Sequence, residues 1–583
     1  MAMQGAFFMH GYIRFSFLTT RSLHCIIDGK YDLRAHGGMN INNMINIAAH
    51  LPEMARLQPD TPAIIFPRKN RRLSFRELNG LCDRIAHGLV ASGIGRGVRT
   101  CLMVSPGPEF FALTFALFKV GAVPVLVDPG MGIRNLRKCL AEAEPHAFIG
   151  IPKAHIARLL FGWGKETLRT FITVGPRLFW KGTTLAHLID CREQLPFPLA
   201  PTLRDDVAAI LFTSGSTGPP KGAVYSHGNF AAQVEALRRV YGIEPGEIDL
   251  PTFPLFALFA PALGMTAVIP DMDFTRPGSV NPHNIIGAIE RYGVTNMFGS
   301  PALINRVGRF GAKHGIRLPS LRRVISAGAP APAAILERFS LMLNPGVEIF
   351  TPYGATEALP VCSIGSSEIL GETRRITEAG GGVCIGRPVA GVRLEIITIS
   401  DEPIPLWHDS LRMPMHQIGE IVVQGEQVTR RYYNRPDADQ LAKISDPAGG
   451  GFFHRMGDLG GMDEGGRIWF CGRKSQRVVT PTETLFTIPC EAVFNTHSGV
   501  ARTALVGIGE PGEQLPVLCV ELEKESDVDR EKVRRELLAI GRAHIHTHGI
   551  TAILFHPAFP VDIRHNAKIF REKLALWAAR RLP

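Results

Sequence analysis

The chain has 583 residues, of which 45% are hydrophobic and 20% are charged. This length and composition indicate a globular protein with a large core and two or more domains. The net charge of +11 arises from 64 basic residues that are interleaved with 53 acidic ones, and the basic residues form no long run. Because the sequence also lacks a recognition module, it argues against a nucleic-acid-binding protein.

The apolar runs are shorter than the about 20 residues that a membrane-spanning helix needs, so we predict no transmembrane segment. The ten cysteines are scattered and form no CxxC pair, which favours a reducing, cytoplasmic location. Residues 1–38 lack the order of charged, apolar and small residues that is typical of a signal peptide. We therefore predict a poorly ordered N-terminal extension over residues 1–43, with Met39 and Met44 as alternatives to Met1 for the first residue.

Segments typical of strands and helices alternate over most of the chain. The basic cluster "PRKNRRLSF" (67–75) lies between two apolar segments and predicts a solvated hairpin turn. After it, "TCLMVSP", "EFFALTFALFKVGA" and "VPVLVDP" have the patterns of a strand, a helix and a strand. This repeated βαβ order predicts an α/β fold with largely parallel sheets.

The pattern changes at about residue 386 to short strands such as "RLEIITI", "GEIVVQG" and "GRIWFCG", which predict a β-rich subdomain. A last region with strands and helices contains "ARTALVGIG" and "PVLCVELE". We therefore predict a large N-terminal domain over residues 44–473 and a small α+β domain over residues 474–583, with the boundary near Arg473.

The segment "ILFTSGSTGPPKGAVYSHGNF" (210–230) begins as a buried strand and continues into small residues. Glycine and hydroxyl-bearing residues let backbone N–H groups approach an anion closely, so this loop is a candidate phosphate cradle. Pro219 and Pro220 stiffen its exit and orient Lys221. A Walker A loop is excluded because Pro220 precedes the lysine; a flexible surface turn is the other interpretation. The candidate donors are Ser214, Gly215, Ser216, Thr217 and Gly218.

The string "FTSGSTGPPKGAVYSH" resembles the phosphate-loop motif of the adenylate-forming superfamily, which includes acyl-CoA synthetases, adenylation domains of nonribosomal peptide synthetases and luciferases. The resemblance extends from about residue 44 to the C-terminus. It implies ATP- and Mg²⁺-dependent adenylation of a carboxylate, at a site between a large domain and a mobile C-terminal domain. The further motifs, in order, are "PDTPAI", "LSFRELN", "FALFKVGAVPVLVDP", "SAGAP", "YGATE", "GEIVVQG", "YYNRP", "GDLG", "GRIWFCGR" and "NAKIFREKL".

The resemblance implies a nucleotide site and assigns its residues. Thr213 and the five residues after it, with Lys221, match the phosphate loop. Asp458 in "MGDLG" is similar to the carboxylate that accepts the ribose hydroxyls, and Arg473 to the arginine that contacts the same sugar. Tyr353 matches the residue that stacks on adenine. The residues that match the rest of the adenine pocket are Gly328, Ala329, Pro330 and Gly354.

The resemblance also implies the groups that carry the reaction. Thr356 and Glu357 in "YGATE" match the pair that binds Mg²⁺ and the α-phosphate, in keeping with the preference of a hard cation for oxygen ligands. Lys568 in "NAKI" matches the lysine that reaches the substrate carboxylate and the α-phosphate, where a cation stabilises developing negative charge.

Three departures from the superfamily pattern concern the second half-reaction. Ala257 occupies the place of a histidine, Ser475 replaces the Asp or Lys of the hinge, and "VVTPTETLFTIPCEAVFN" replaces a glycine-rich turn that shapes the pantetheine tunnel. The strings around them, such as "TPYGATEALPV" and "FPVDIRHNAKI", resemble the β-lactone synthetases of bacterial long-chain olefin biosynthesis. That resemblance implies that the β-hydroxyl of an adenylated 2-alkyl-3-hydroxy acid displaces AMP, an oriented intramolecular step.

The sequence is also compatible with two other functions. One is a long-chain fatty acyl-CoA synthetase, and the other is a nucleotide-binding scaffold without catalysis. Retention of Lys221, Glu357, Asp458, Arg473 and Lys568 argues against the scaffold. The resemblance further implies an assembly with enzymes of the olefin pathway, a β-lactone decarboxylase above all.

Overall fold

The computed structural model describes residues 44–190, 195–213, 219–523, 529–561 and 568–582. All the elements below belong to one compact unit, Ile45–Pro583. The strands are β1 (Pro62–Phe66), β2 (Arg71–Ser74), β3 (Arg99–Met103), β4 (Val123–Leu126), β5 (Ala147–Gly150), β6 (Thr170–Thr173), β7 (Thr183–Thr184), β8 (Val207–Phe212), β9 (Gly222–Ser226), β10 (Ile248–Pro251), β11 (Thr266–Val268), β12 (Asn296–Gly299), β13 (Arg323–Ser326), β14 (Glu348–Ala355), β15 (Ala358–Ile364), β16 (Val383–Cys384), β17 (Arg387–Pro388), β18 (Arg393–Ile397), β19 (Gly419–Gln424), β20 (Lys443–Asp446), β21 (Gly451–Met462), β22 (Ile468–Arg473), β23 (Val478–Val479), β24 (Thr484–Leu485), β25 (Val500–Ile508), β26 (Leu515–Leu522) and β27 (Ala552–Phe555).

The α-helices connect these strands and cover the sheets. They are α1 (His50–Leu57), α2 (Phe75–Ala91), α3 (Pro108–Lys119), α4 (Ile133–Ala143), α5 (Pro152–Phe161), α6 (Leu185–Asp190), α7 (His227–Tyr241), α8 (Pro254–Ala257), α9 (Phe259–Leu263), α10 (Pro282–Tyr292), α11 (Pro301–His314), α12 (Ala333–Ser340), α13 (Ser366–Glu368), α14 (Arg374–Glu378), α15 (Pro436–Ala442), α16 (Thr487–Phe494), α17 (Arg530–Arg542) and α18 (Arg571–Ala579). In the part of the chain that the structure describes, no helix is long and apolar enough to cross a bilayer.

Two large sheets carry most of the fold. A seven-stranded sheet has the order β7-β6-β5-β3-β4-β8-β9, and a nine-stranded sheet has the order β17-β15-β14-β13-β12-β10-β11-β1-β2. Neighbouring strands are parallel from β7 to β8 and from β14 to β1. The antiparallel pairs are β8 with β9, β1 with β2, β14 with β15 and β15 with β17. The predicted α/β class with parallel-rich sheets is therefore confirmed.

Two local predictions are also confirmed. The predicted strand, helix and strand are β3, α3 and β4, and the two strands pair in parallel. The basic cluster joins the antiparallel strands β1 and β2 through a turn in which Asn70 has a φ of 45°. A short polar side chain tolerates this left-handed conformation better than most.

The helix α3 is apolar on every side and is buried over its whole length except at Glu109. Its last residue, Lys119, is 1% exposed and forms an ion pair with Asp83 of α2. The Lys119 Nζ also donates to Asn79 Oδ1 at 2.8 Å. Since a buried charge is costly unless it is paired and hydrogen-bonded, this pair fixes α2 against α3.

The predicted β-rich subdomain corresponds to a six-stranded sheet with the order β16-β22-β21-β19-β18, to which β20 adds by pairing with β21. Its strand β22 ends at Arg473. Among the described residues, the strands that follow pair only with one another, as β23 with β24 and as the sheet β25-β26-β27. The domain boundary near Arg473 stays a prediction.

Candidate active site

A cavity of about 2030 Å³ is bordered by the loops after the parallel strands and by residues from the C-terminal region. Its lining includes residues that the sequence singles out and many aromatic side chains. The polar lining includes Gly328, Ala329, Pro330, Tyr353, Gly354, Thr356, Asp458, Arg473 and Lys568. The structure thus brings most of the predicted site residues to one cavity.

The candidate phosphate loop connects the antiparallel strands β8 and β9. At its base the Thr213 N–H donates to the Lys221 carbonyl at 3.0 Å, and the Lys221 N–H donates to Thr213 Oγ1 at 3.1 Å. These two bonds close the hairpin and fix where the loop leaves the sheet. The predicted anion donors lie outside the described residues; they are Ser214, Gly215, Ser216, Thr217 and Gly218.

The candidate adenine pocket combines a strand end with a close backbone approach. Gly328 follows β13 with a φ of 102°, which favours glycine. On β14, a Cβ added at Gly354 would lie 2.6 Å from the Ala358 carbonyl oxygen, so no other residue fits without a backbone shift. Small residues at these two positions leave the cavity open beside Tyr353.

Asp458 and Arg473 face each other as register partners on β21 and β22. Arg473 Nη1 lies 3.0 Å from Asp458 Oδ1 and donates a hydrogen bond to the Met456 carbonyl at 3.1 Å. Asp458 Oδ2 accepts a hydrogen bond from the Tyr353 hydroxyl at 2.6 Å. Asp458 is buried and borders the cavity, so Arg473 and Tyr353 fix its carboxylate at the cavity wall.

The electrostatic environment of Asp458 is set by opposing effects. Burial raises the pKa of its carboxyl group, and the Arg473 charge, the Tyr353 hydrogen bond and the Lys568 charge oppose that rise. The interaction with Lys568 shows that the structure brings this lysine within electrostatic range of Asp458. The Asp458 charge in turn raises the pKa of Arg473.

The segment that carries Lys568 is anchored by an ion pair on its C-terminal side. Arg571 Nη2 lies 2.7 Å from Glu491 Oε2 of α16, and Arg571 Nε donates to Glu491 Oε1 at 3.1 Å. Both side chains are largely buried and border the cavity. A two-point pair of this kind fixes direction as well as distance, so it holds the start of α18 and the adjacent Lys568 near the cavity.

Glu357 is held by contacts that the sequence analysis did not identify. The Tyr432 hydroxyl donates to Glu357 Oε1 at 2.6 Å, and the Thr429 N–H donates to the Glu357 carbonyl at 2.8 Å. Glu357 Oε2 has no hydrogen-bond partner among the described residues. The Tyr225 hydroxyl donates to the carbonyl of the neighbouring Thr356. The Thr356–Glu357 pair is thus fixed through its backbone and one carboxylate oxygen.

Two lysines flank the Tyr432 ring. Lys221 Nζ lies 5.1 Å and Lys443 Nζ 5.9 Å from the ring centre, within the range of cation–π attraction. Lys443 also donates to the Thr429 carbonyl. Burial lowers the pKa of Lys443 to about 7, against the opposing charges of Glu357 and Asp439. Tyr432 lies in "YYNRP", a string that supports the family resemblance without assigning this residue a role.

The apolar part of the cavity is rich in phenylalanine. The rings of Phe256 and Phe298 lie 4.5 Å apart, and those of Phe253 and Phe256 lie 5.2 Å apart. Ala257, which occupies the place of a family histidine, is fully buried and is not among the described residues that border the cavity.

Cationic and carboxylate side chains meet at this cavity. Arg473, Lys568 and Asp458 border it, whereas Lys221 and Glu357 are not among the described residues that border it. No group of three His, Cys, Asp or Glu residues suited to a metal is present in the described ranges. Mg²⁺ commonly uses one or two protein oxygens together with substrate phosphates, and the Thr356–Glu357 pair fits that mode.

Comparison with known proteins supports this assignment. A family model described as "AMP-binding enzyme" matches residues 51–433. The olefin beta-lactone synthetase of Stenotrophomonas maltophilia strain K279a is 51% identical over 555 residues, which cover 93% of this chain and 99% of that protein. The corresponding protein of Xanthomonas campestris pv. campestris is 50% identical over 92% of this chain and 98% of its own length.

A solved structure has the same fold at lower sequence identity. The amide bond synthetase McbA of Marinactinospora thermotolerans superimposes with a TM-score of 0.76 at 21% identity, covering 91% of this chain and 99% of that one. The family match over most of the chain and the high identity to near full-length relatives lead to one conclusion. The chain belongs to the AMP-binding enzyme family and, within it, to the group of the olefin beta-lactone synthetases.

Proposed function

We propose that the protein activates a long-chain 2-alkyl-3-hydroxy acid with ATP and closes the product into a β-lactone. The observation that carries this proposal is one cavity whose lining includes both the predicted nucleotide-site residues and many phenylalanine side chains. It occurs in a chain that is 51% identical to an olefin beta-lactone synthetase. A substrate with a carboxylate and long alkyl chains matches both kinds of lining residue.

In the first step a carboxylate oxygen of the acid attacks the α-phosphorus of ATP, and pyrophosphate leaves. Lys568 stabilises the negative charge that develops on the transferring oxygens. The phosphate loop and Lys221 bind the phosphates, while Asp458 and Arg473 hold the ribose. When bound, Mg²⁺ would be held by Thr356 and Glu357 and would offset phosphate charge.

In the second step the β-hydroxyl of the same molecule attacks the adenylate carbonyl carbon. The hydroxyl loses its proton, the new C–O bond closes a four-membered ring, and AMP leaves with its electron pair. No external thiol is required, because nucleophile and electrophile are held in one bound molecule. The phenylalanine-rich lining orients the alkyl chains and excludes the water that would hydrolyse the adenylate.

Three further proposals concern the setting of the reaction. Residues 474–583 act as a lid domain that carries Lys568 to the cavity, which is supported by the strand pairing that separates this region from β22. The enzyme acts in the cytoplasm. The β-lactone passes to a decarboxylating enzyme that forms the olefin.

The proposed function is tested by measuring AMP release from Mg²⁺-ATP and the hydroxy acid with and without coenzyme A. We expect the same rate in both reactions. A requirement for coenzyme A, with a thioester as product, would establish the acyl-CoA synthetase instead. If the protein binds ATP but releases no AMP, the nucleotide-binding scaffold is the correct function instead.

We predict that Asp458→Asn raises the KM for ATP by about tenfold or more, because hydrogen bonds to a charged group contribute about 1.5–3 kcal/mol. The substitution keeps the shape of the side chain and removes its charge from the ribose and from Arg473. Initial rates across ATP concentrations measure the effect. The matched control is Asp446→Asn, since Asp446 is equally buried and paired with Arg393 but does not border the cavity. An unchanged KM in folded Asp458→Asn would remove Asp458 from the site.

We also predict that Tyr432→Phe slows adenylation by about tenfold and raises the Mg²⁺ concentration needed for half-maximal rate. The ring and its contacts with the two lysines remain, but the hydrogen bond to Glu357 is lost. Pyrophosphate release is measured across Mg²⁺ concentrations. Tyr241→Phe is the control, because Tyr241 is also buried and its hydroxyl contacts Ser363 away from the cavity. Equal Mg²⁺ dependence in both variants would show that Tyr432 does not position Glu357.

A further inference from the structure

Five large apolar side chains are exposed between residues 159 and 179, at the end of α5 and in the loop between β6 and β7. Leu160 is 73% exposed and Phe179 is 80% exposed. Single exposed apolar residues are ordinary, but a contiguous group marks an interaction surface. We call this group the apolar patch; its members are Leu159, Leu160, Phe161, Leu178 and Phe179.

The two halves of the apolar patch are held together by packing. The loop that carries Leu178 and Phe179 is fixed to α5 because the Trp180 ring stacks on the His155 ring at 5.1 Å. Trp180 Nε1 also donates to Thr173 Oγ1 at 2.9 Å. Since Leu159 follows His155 by one helical turn, the loop and the end of α5 lie side by side.

A set of cations lies on the same stretch of chain as the apolar patch. None of them forms an ion pair with a described residue, whereas many arginines elsewhere in the chain do. Glu166 is the single acidic residue in the sequence from 152 to 182. Together these side chains make the surface cationic as well as apolar. They are Lys165, Arg169, Arg177 and Lys181, all exposed.

The same segment borders the cavity on its inner side. Ile151, Lys153, Ala154 and Trp163 line the cavity, while Leu159 and Leu160 of the same stretch point to solvent. The apolar patch therefore lies on the outside of one cavity wall.

We infer that the apolar patch and the cations on the same stretch of chain dock the enzyme on an anionic lipid bilayer. Exposed Leu and Phe side chains insert at the level of the lipid headgroups, and the flanking Lys and Arg side chains bind the negative surface. The choice of a lipid surface over a protein partner rests on charge complementarity and on the proposed function, whose two-chain substrate and lactone product partition into bilayers. Docking itself needs neither ATP nor the acid, so it is tested separately from catalysis.

The test is sedimentation of the full-length protein with vesicles of phosphatidylcholine that contain about 30% phosphatidylglycerol. We expect binding to these vesicles, weak binding to pure phosphatidylcholine and release at high salt. The double variant Leu160→Ser/Phe179→Ser and the double variant Lys165→Glu/Arg169→Glu each bind about tenfold more weakly or worse. A control double variant, Leu341→Ser/Ile545→Ser, removes two other exposed apolar side chains, 63% and 86% exposed, and binds like the wild type.

Three results would overturn the inference. They are equal sedimentation with neutral and anionic vesicles, equal loss in the control variant, and a change from oligomer to monomer in the patch variant without vesicles, which would make the apolar patch a contact between copies of this chain. Folding is checked by thermal unfolding of each variant. AMP release with a short-chain, water-soluble hydroxy acid stays unchanged in the patch variant, which separates docking from catalysis.

Discussion

The Lys568→Ala variant is expected to release pyrophosphate about 10²–10³ times more slowly than the wild type, since removal of one charge-stabilising group commonly costs that much in rate. Lys568 borders the cavity and lies within electrostatic range of Asp458. The Arg571–Glu491 ion pair next to it holds its backbone in place without the lysine side chain. The effect therefore falls on the rate of adenylation and leaves folding intact.

Lys532→Ala is the matched control for this prediction. Lys532 lies in the same C-terminal region on α17, is exposed and contacts only Glu536 among the described acidic residues. Stopped-flow or coupled measurement of pyrophosphate compares the two variants with the wild type. Release by Lys568→Ala within threefold of the control would refute the assignment of Lys568 to the adenylation step.

The second large effect concerns the β-hydroxyl of the substrate. A 2-alkyl acid of the same chain length without that hydroxyl should form the adenylate and stop there, because the nucleophile of the ring closure is missing. We expect one equivalent of pyrophosphate per enzyme in a burst, then turnover at least about 10² times slower than with the hydroxy acid, from hydrolysis of the adenylate. Rapid-quench analysis of the burst measures both phases.

Addition of coenzyme A is the control arm of that experiment. If the thiol restores fast turnover of the deoxy acid and an acyl-CoA accumulates, the cavity admits an external acceptor. The departures from the family pattern at Ser475 and in residues 478–495 then do not prevent coenzyme A from reacting. If turnover stays slow, the second half-reaction depends on the hydroxyl of the substrate itself.

The sequence predicted those parts of the site that depend on local backbone chemistry. The α/β class followed from βαβ order, and the position of a loop after a buried strand followed from the glycines and prolines of residues 213–221. The antiparallel pairing of β8 and β9 across that loop came from the structure. Asp458 lies opposite Arg473 because of the register in which β21 pairs with β22. The alternation of residues within each strand does not predict this register, because it also depends on the loop that joins the two strands. Only the family resemblance connected the two residues before the structure did.

The contacts that the sequence did not reveal are those between distant segments. Tyr432 donates a hydrogen bond to Glu357, which is 75 positions away in the sequence. Lys443 donates to the carbonyl of Thr429, whose N–H group binds the Glu357 carbonyl. An aromatic hydroxyl in "YYNRP" has the same sequence pattern as that of any other buried tyrosine, so residue spacing does not predict its contact with Glu357. The effect of the departure at Ala257 stays a prediction, because the residue is fully buried while its neighbours Phe256 and Leu258 border the cavity.

The central claim is that the carboxylate is activated by adenylation and captured by the hydroxyl of the same molecule. The most direct test uses a long-chain 2-alkyl-3-hydroxy acid labelled with ¹⁸O in its carboxyl group, together with Mg²⁺-ATP and no coenzyme A. The account predicts a β-lactone by proton NMR and the transfer of one ¹⁸O atom to AMP, because the carboxylate oxygen that attacks the α-phosphorus leaves with AMP. Unlabelled AMP, or labelled AMP with only the free acid recovered, would contradict it.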